Sequence, residues 1–230
     1  MAARAHHLTD SVTSRQRSWR SAFYLALRFE KSWALLFGGI AGLLALNLGC
    51  SRIPSLQNEA PSSLSGLQLL DLDGHAITPL QTGGSNANVF VFINTDCPIS
   101  NRYAPEIRRL HDEFAPQGVK FWLVYPNPTV SPEEIRRHLE DYHYPCEALR
   151  DPRHELVKQA QARVTPEAAV FVPGPKLVYH GRIDDRYVDF GKERPSPSQR
   201  DLHDVLRSVV AGKPVTNAPA PAVGCYLSSE

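Results

Sequence analysis

The sequence predicts an α/β fold, a central mixed sheet flanked by helices with an N-terminal hairpin extension, and three observations point to it. Two continuous runs of β-branched and aromatic residues, Asn88 to Asn94 and Gly118 to Tyr125, have the composition of strands buried on both faces. Each is followed by a segment of helical period. A later pair of apolar runs, Val164 to Val172 and Lys176 to Ile183, is joined by Pro173-Gly174-Pro175, a turn signal that makes the pair antiparallel. At 230 residues and 42% hydrophobic composition, one domain with extra segments is the economical organisation.

Residues 1–49 hold six of the 25 Lys and Arg side chains but only two of the 24 Asp and Glu, so the rest of the chain is mildly acidic. That balance excludes the concentrated basic face that nucleic acid requires. Between Lys31 and Arg52 there is no charge, and Ser32 to Gly49 is almost wholly apolar or small. A basic flank before such a run reads as an export signal or a membrane anchor, with everything after it on the extracytoplasmic (periplasmic) side. Leu48-Gly49-Cys50 looks like a bacterial lipoprotein cleavage site, which makes Cys50 a candidate for lipidation. An uncleaved anchor and an ordinary cleavage are the other outcomes. The expected organisation is therefore a signal or anchor segment (1–50), a polar linker (51–66), the globular domain (67–212) and a Pro/Ala-rich tail (213–230) containing Cys225.

Within the domain, Leu67 to Gly74 alternates and His75 to Leu80 returns as a hairpin. After the Asn88 strand, Tyr103, Ile107, Leu110 and Phe114 recur at helical spacing and form one apolar stripe. Ser131, Pro132 and Glu134 combine an N-cap, a first-turn proline and a capping-box carboxylate, opening a helix with Ile135, Leu139 and Tyr142 on one face. A short apolar strand is expected around Cys146, and a short helix from Asp151 to near Ala162. Ser196 and Gln199 read as a second capping box ahead of Leu202, Val205, Leu206 and Val209.

Cys97 falls at the junction between the first buried strand and its helix, with Pro98 suited to the first turn. A thiol there meets unpaired backbone N–H groups, which favour the thiolate and hence nucleophilicity. Thr95 is placed to offer a hydroxyl to the sulfur or to a bound oxygen. Asp96 opposes thiol ionisation unless it faces solvent.

Val91 to Pro105, with Thr95-Asp96-Cys97-Pro98 at its centre, followed by Arg163-Val164-Thr165-Pro166, resembles the redoxin (AhpC/TSA, peroxiredoxin-like) family of the thioredoxin superfamily. The similarity spans about Leu67 to Leu227, including a C-terminal Val-Gly-Cys segment. It implies a thioredoxin-like fold with Cys97 as the attacking cysteine and Pro105 as the kink of the active-site helix. Thr165-Pro166 would be the cis-proline loop, facing the cysteine and pairing with extended thiol substrates. Substrates would be protein thiols and disulfides or a peroxide, with an electron donor the sequence does not name and no cofactor.

Departures from the family narrow the chemistry. Ser100 stands where a Cys-x-x-Cys motif has its second thiol, so dithiol exchange within the motif is impossible. The threonine is two residues before the cysteine instead of three, and Ala168 falls near the family's later arginine, which leaves Arg163 as a substitute. A resolving thiol must then come from elsewhere, and Cys225 on the tail is the candidate. It pairs with Cys97, pairs between chains, or stays unreactive. Cys146 is expected to be buried and inert.

Copper chemistry is disfavoured because Asn101 occupies the second position of a Cys-x-x-x-Cys pair. His111, His138, His143, His154 and His180 have no metal-ligand spacing and read as solvated, and Asp184 to Tyr187 reads as a surface turn. Two functions follow: an extracytoplasmic thiol oxidoreductase using Cys97, or a non-catalytic thioredoxin-fold interaction module tethered to the membrane.

Overall fold

The computed structural model describes residues 64–81 and 84–227. The segments expected at residues 1–50 and over most of the linker, Cys50 included, lie outside the described residues. A 3-10 turn at Leu64–Gly66 leads into β1 (Leu69–Leu70) and β2 (Ala76–Ile77), the expected hairpin in abbreviated form. Then follow β3 (Ala87–Phe92), α1 (Pro98–Arg102), α2 (Ala104–Phe114), β4 (Val119–Tyr125), α3 (Pro132–Asp141), β5 (Glu147–Arg150), α4 (Glu155–Ala160), β6 (Val164–Thr165), β7 (Glu167–Val172) and β8 (Lys176–Gly181). A small hairpin, β9 (Tyr187–Asp189) and β10 (Lys192–Glu193), precedes α5 (Asp201–Val210), and β11 (Cys225–Tyr226) ends the described chain.

The main sheet runs β2-β1-β5-β4-β3-β7-β8. β3 lies parallel to β4 and antiparallel to β7, so the sheet is mixed, and all six β3 residues are buried. Because successive side chains of a strand point to opposite faces, β3 feeds two hydrophobic layers. Val89 and Val91 pack with Ile107, Leu110 and Phe114 of α2 and with Leu202, Val205 and Leu206 of α5. Phe90 and Phe92 pack on the other face with Trp122, Phe171 and Leu156 and Val157 of α4. The stripe read from Tyr103 to Phe114 is wholly buried. The helix expected to kink at Pro105 is split at Tyr103, since Pro105 cannot donate a backbone N–H to the preceding turn.

The Ser131 capping box is present in full. The second predicted one is not: α5 starts after Arg200 with no side-chain cap. A stronger acceptor has taken the local donors. Asp185, 4% exposed, accepts from the backbone N–H of Ser198 (2.7 Å) and Gln199 (2.9 Å) and from the Ser198 hydroxyl, and pairs with Arg194. Asp184 is equally buried and accepts the Tyr103 hydroxyl at 2.6 Å. The segment read as a surface turn is thus an internal polar anchor.

Burial resists ionisation of Asp185, but bonds from Gln199, Ser198 and Arg194 outweigh it and hold its pKa at about 2. A depressed folded-state pKa stabilises the fold fully above the unfolded value of about 3.9, and this contribution is lost as pH falls toward about 2. Asp185→Asn should therefore lower the melting temperature at neutral pH and flatten the stability loss across that acid window, as followed by circular dichroism.

Candidate active site

Cys97 is the N-cap of α1 and is 0% exposed. Its thiol donates to the Thr165 carbonyl oxygen at 3.0 Å, and its sulfur accepts from the Ser100 backbone N–H at 3.5 Å. Thr165 ends β6, and the peptide to the buried Pro166 is cis. Strand end, helix start and proline loop therefore converge on one sulfur. Thr95 joins through its backbone: its N–H donates to the Asn94 side chain and its carbonyl accepts from Asn101.

The tail contributes the second sulfur. The Pro/Ala-rich tail lies against the domain, and β11 pairs antiparallel with β6 so that Cys225 sits opposite Thr165. Leu227 donates to the Arg163 carbonyl at 3.0 Å and Arg182 donates to the Ala220 carbonyl at 3.0 Å. The approach is close because two side chains are missing. A Cβ on Gly224 would lie 2.1 Å from the Thr165 carbonyl oxygen, and one on Gly181 would lie 2.4 Å from that of Ala220.

The two thiols have opposite electrostatics. Burial works to raise the Cys97 pKa, but the Cys225 thiol, Ser100 and the Thr165 side chain outweigh it and hold Cys97 below the ordinary thiol range. Cys225 is pushed up to about 12, first by burial, then by donating to Cys97 and by the charges of Cys97 and Asp96. The pair thus favours a thiolate on Cys97 with the proton on Cys225. Cys146 is buried, and burial pushes its thiol up to about 12, which suits the inert role expected of it. The three cysteines among the described residues are all free.

Arg163 is exposed, and its backbone N–H donates to Glu167 at 2.7 Å. Ala168 is a fully buried core residue opposite Val91. A cavity of about 390 Å³ lies beside the pair, lined by Pro98, Ile99 and Arg102 on one side, Tyr187 and Phe190 on the other, and Cys225.

His138 corrects the sequence reading, being 6% exposed instead of solvated. Its Nδ1 meets the Tyr125 hydroxyl at 2.8 Å and its Nε2 meets Asn101 Oδ1 at 2.8 Å. With Nε2 facing an acceptor, the ring carries its proton there and accepts the tyrosine hydroxyl at Nδ1. Burial lowers its pKa, which keeps it neutral. The chain His138, Asn101, Thr95 fixes the loop that carries Cys97. The signal was its spacing: position 138 falls on the same helical face as Ile135 and Tyr142.

An uncharacterized conserved protein from Geobacillus kaustophilus is 28% identical, with a TM-score of 0.62 over 71% of this chain and 88% of that one. A hypothetical protein from Sinorhizobium meliloti 1021 is 25% identical, with a TM-score of 0.61 over 70% and 88%. No curated protein matches the sequence. The sequence pattern of the AhpC/TSA family matches residues 57–180, a span that includes Cys97, Thr165 and Pro166 and ends before the tail. With more than half of its length matched and a thioredoxin-like fold, the chain belongs to the AhpC/TSA family, the redoxins of the thioredoxin superfamily.

Proposed function

We propose that the chain is an extracytoplasmic thiol-dependent oxidoreductase whose working unit is the Cys97–Cys225 pair. The observation that carries this reading is the register of the tail, which sets Cys225 opposite the residue whose carbonyl holds the Cys97 thiol. Cys97 is the nucleophile, Thr95 and Pro166 shape its surroundings, and Cys225 is the resolving thiol that Ser100 cannot be. In net terms the protein dithiol and an external disulfide exchange for the protein disulfide and two external thiols. Two electrons leave the cysteine pair and two protons go to the departing thiols. Peroxide reduction is the weaker reading, because the buried, neutral Ala168 falls near the position of the family's later arginine and Arg163, the other candidate cation, is exposed. The extracytoplasmic assignment rests on the basic flank and apolar run before Cys50. No helix among the described residues is long and apolar enough to cross a membrane.

The test is non-reducing peptide mapping of full-length protein after mild diamide oxidation, with an ultraviolet titration of the thiolates. A Cys97–Cys225 disulfide, a free Cys146 and a Cys97 titrating below an ordinary thiol are expected. No such disulfide, with Cys97 titrating near the ordinary value, would instead favour a tethered module without catalysis. Intact mass measured on protein from membranes reports acylation of Cys50.

A further inference from the structure

Within this pair the two sulfurs differ in access. Cys97 is 0% exposed, whereas Cys225 is partly exposed and lines the 390 Å³ cavity that Cys97 does not reach. The β6 edge beside Cys97, which an extended peptide would need for backbone pairing, is already filled by β11. What is left open is a compact recess. Ile99 and Pro98 form one wall, and Phe190, 55% exposed at the tip of the β9–β10 hairpin, forms the other. The charges at its rim cancel, since Arg102 is paired with Glu193 at 3.2 Å. A volume of that size suits a small organic molecule, and paired rim charges with apolar walls suit an uncharged apolar or aromatic body.

We infer that the external thiols that reduce the oxidised pair attack it at Cys225, inside the recess between α1 and the β9–β10 hairpin, and that they are small molecules bearing an apolar group, distinct from the disulfide that Cys97 attacks. The inference rests on the Cys97–Cys225 reading above. An incoming thiolate attacks the Cys225 sulfur of the oxidised pair. A new S–S bond forms to Cys225, the Cys97–Cys225 bond breaks, and its electron pair leaves on Cys97. A second thiolate then attacks the bound thiol's own sulfur. The external disulfide departs, and Cys225 leaves with the electron pair and takes up a proton. Rate favours the same direction of attack, because the sulfur with the lower pKa is the better leaving group, and that sulfur is Cys97.

The experiment uses full-length protein oxidised with diamide, mixed with benzyl mercaptan, acid-quenched within seconds and mapped without reduction. The benzylthiol adduct is expected on Cys225, with Cys97 free. Phe190→Ala should slow exchange with benzyl mercaptan about fivefold relative to mercaptoethanol, because a wall of the recess is lost. An adduct on Cys97 in comparable amount overturns the inference while leaving the cysteine pair intact. An unchanged Phe190→Ala preference overturns the recess. Failure to form the Cys97–Cys225 disulfide removes the underlying pair and this inference with it.

Discussion

Gly224→Val is expected to free the tail, expose Cys97 and slow closure of the Cys97–Cys225 disulfide by at least about tenfold, without unfolding the domain. A Cβ at this position would sit 2.1 Å from the Thr165 carbonyl oxygen and 2.6 Å from its carbon. The host backbone has little room to yield, since Thr165 and Pro166 are both buried. Overpacking of this kind costs about 1–3 kcal/mol. β11 is two residues long, and its neighbourhood is tied down by few backbone bonds, so that cost is enough to detach it. The domain's layers do not depend on Gly224, and its melting temperature should shift by only a few degrees. Iodoacetamide should label Cys97 faster once the strand has left. The pH profile adds an independent readout. Burial raises the Cys97 pKa and the Cys225 hydrogen bond lowers it, so a departing strand weakens both and moves the acid limb of the exchange rate. Unchanged labelling and an unchanged pH profile would show that the tail strand does not govern the site.

Cys97→Ser is expected to reduce thiol–disulfide turnover to the uncatalysed background, because a serine hydroxyl neither ionises near neutral pH nor forms the disulfide. Cys225→Ala should abolish turnover as well, by a different route. It leaves Cys97 without its resolving partner and without one of its hydrogen bonds, so the Cys97 titration moves upward. Cys146→Ala supplies the control. That thiol is buried and pushed up to about 12, and its removal should leave turnover within about twofold. A Cys97→Ser protein that still turns over, or a Cys146→Ala protein that does not, would shift the chemistry to another thiol.

Much of the framework was readable in the residues because each signal acts locally. Asn88 to Asn94 is apolar on both faces, and β3 is buried on both. The Ser131 and Glu134 pair caps its own helix whatever surrounds it. Cys97 follows a strand and precedes Pro98, which was enough to place it at a helix start. The failures share a physical cause, namely contacts between segments distant in sequence. Ser196 and Gln199 have capping-box spacing, but the Asp185 carboxylate competes for the backbone donors of Ser198 and Gln199 and wins. His138 is a polar residue on an otherwise apolar face, and only its bonds to the buried Tyr125 and to Asn101, both distant in sequence, make it internal. The tail has no hydrophobic period because its docking is made by backbone bonds and by two glycines. A missing side chain leaves no pattern to read, and Val223-Gly224-Cys225 was the sole hint.

The break at Tyr103 has a mechanical consequence. α1 is one five-residue turn, and Tyr103 serves both as its C-cap and as the N-cap of α2, with its hydroxyl clamped to Asp184. A disulfide needs its sulfurs about 2.05 Å apart, so the free Cys97 and Cys225 sulfurs must draw together when the pair oxidises. With the clamp as a fixed pivot, α1 can swing or unwind as a small unit while α2 keeps its buried stripe in place. Oxidation would then be absorbed by one turn of helix, and the sheet would serve as an unmoving anvil beneath it.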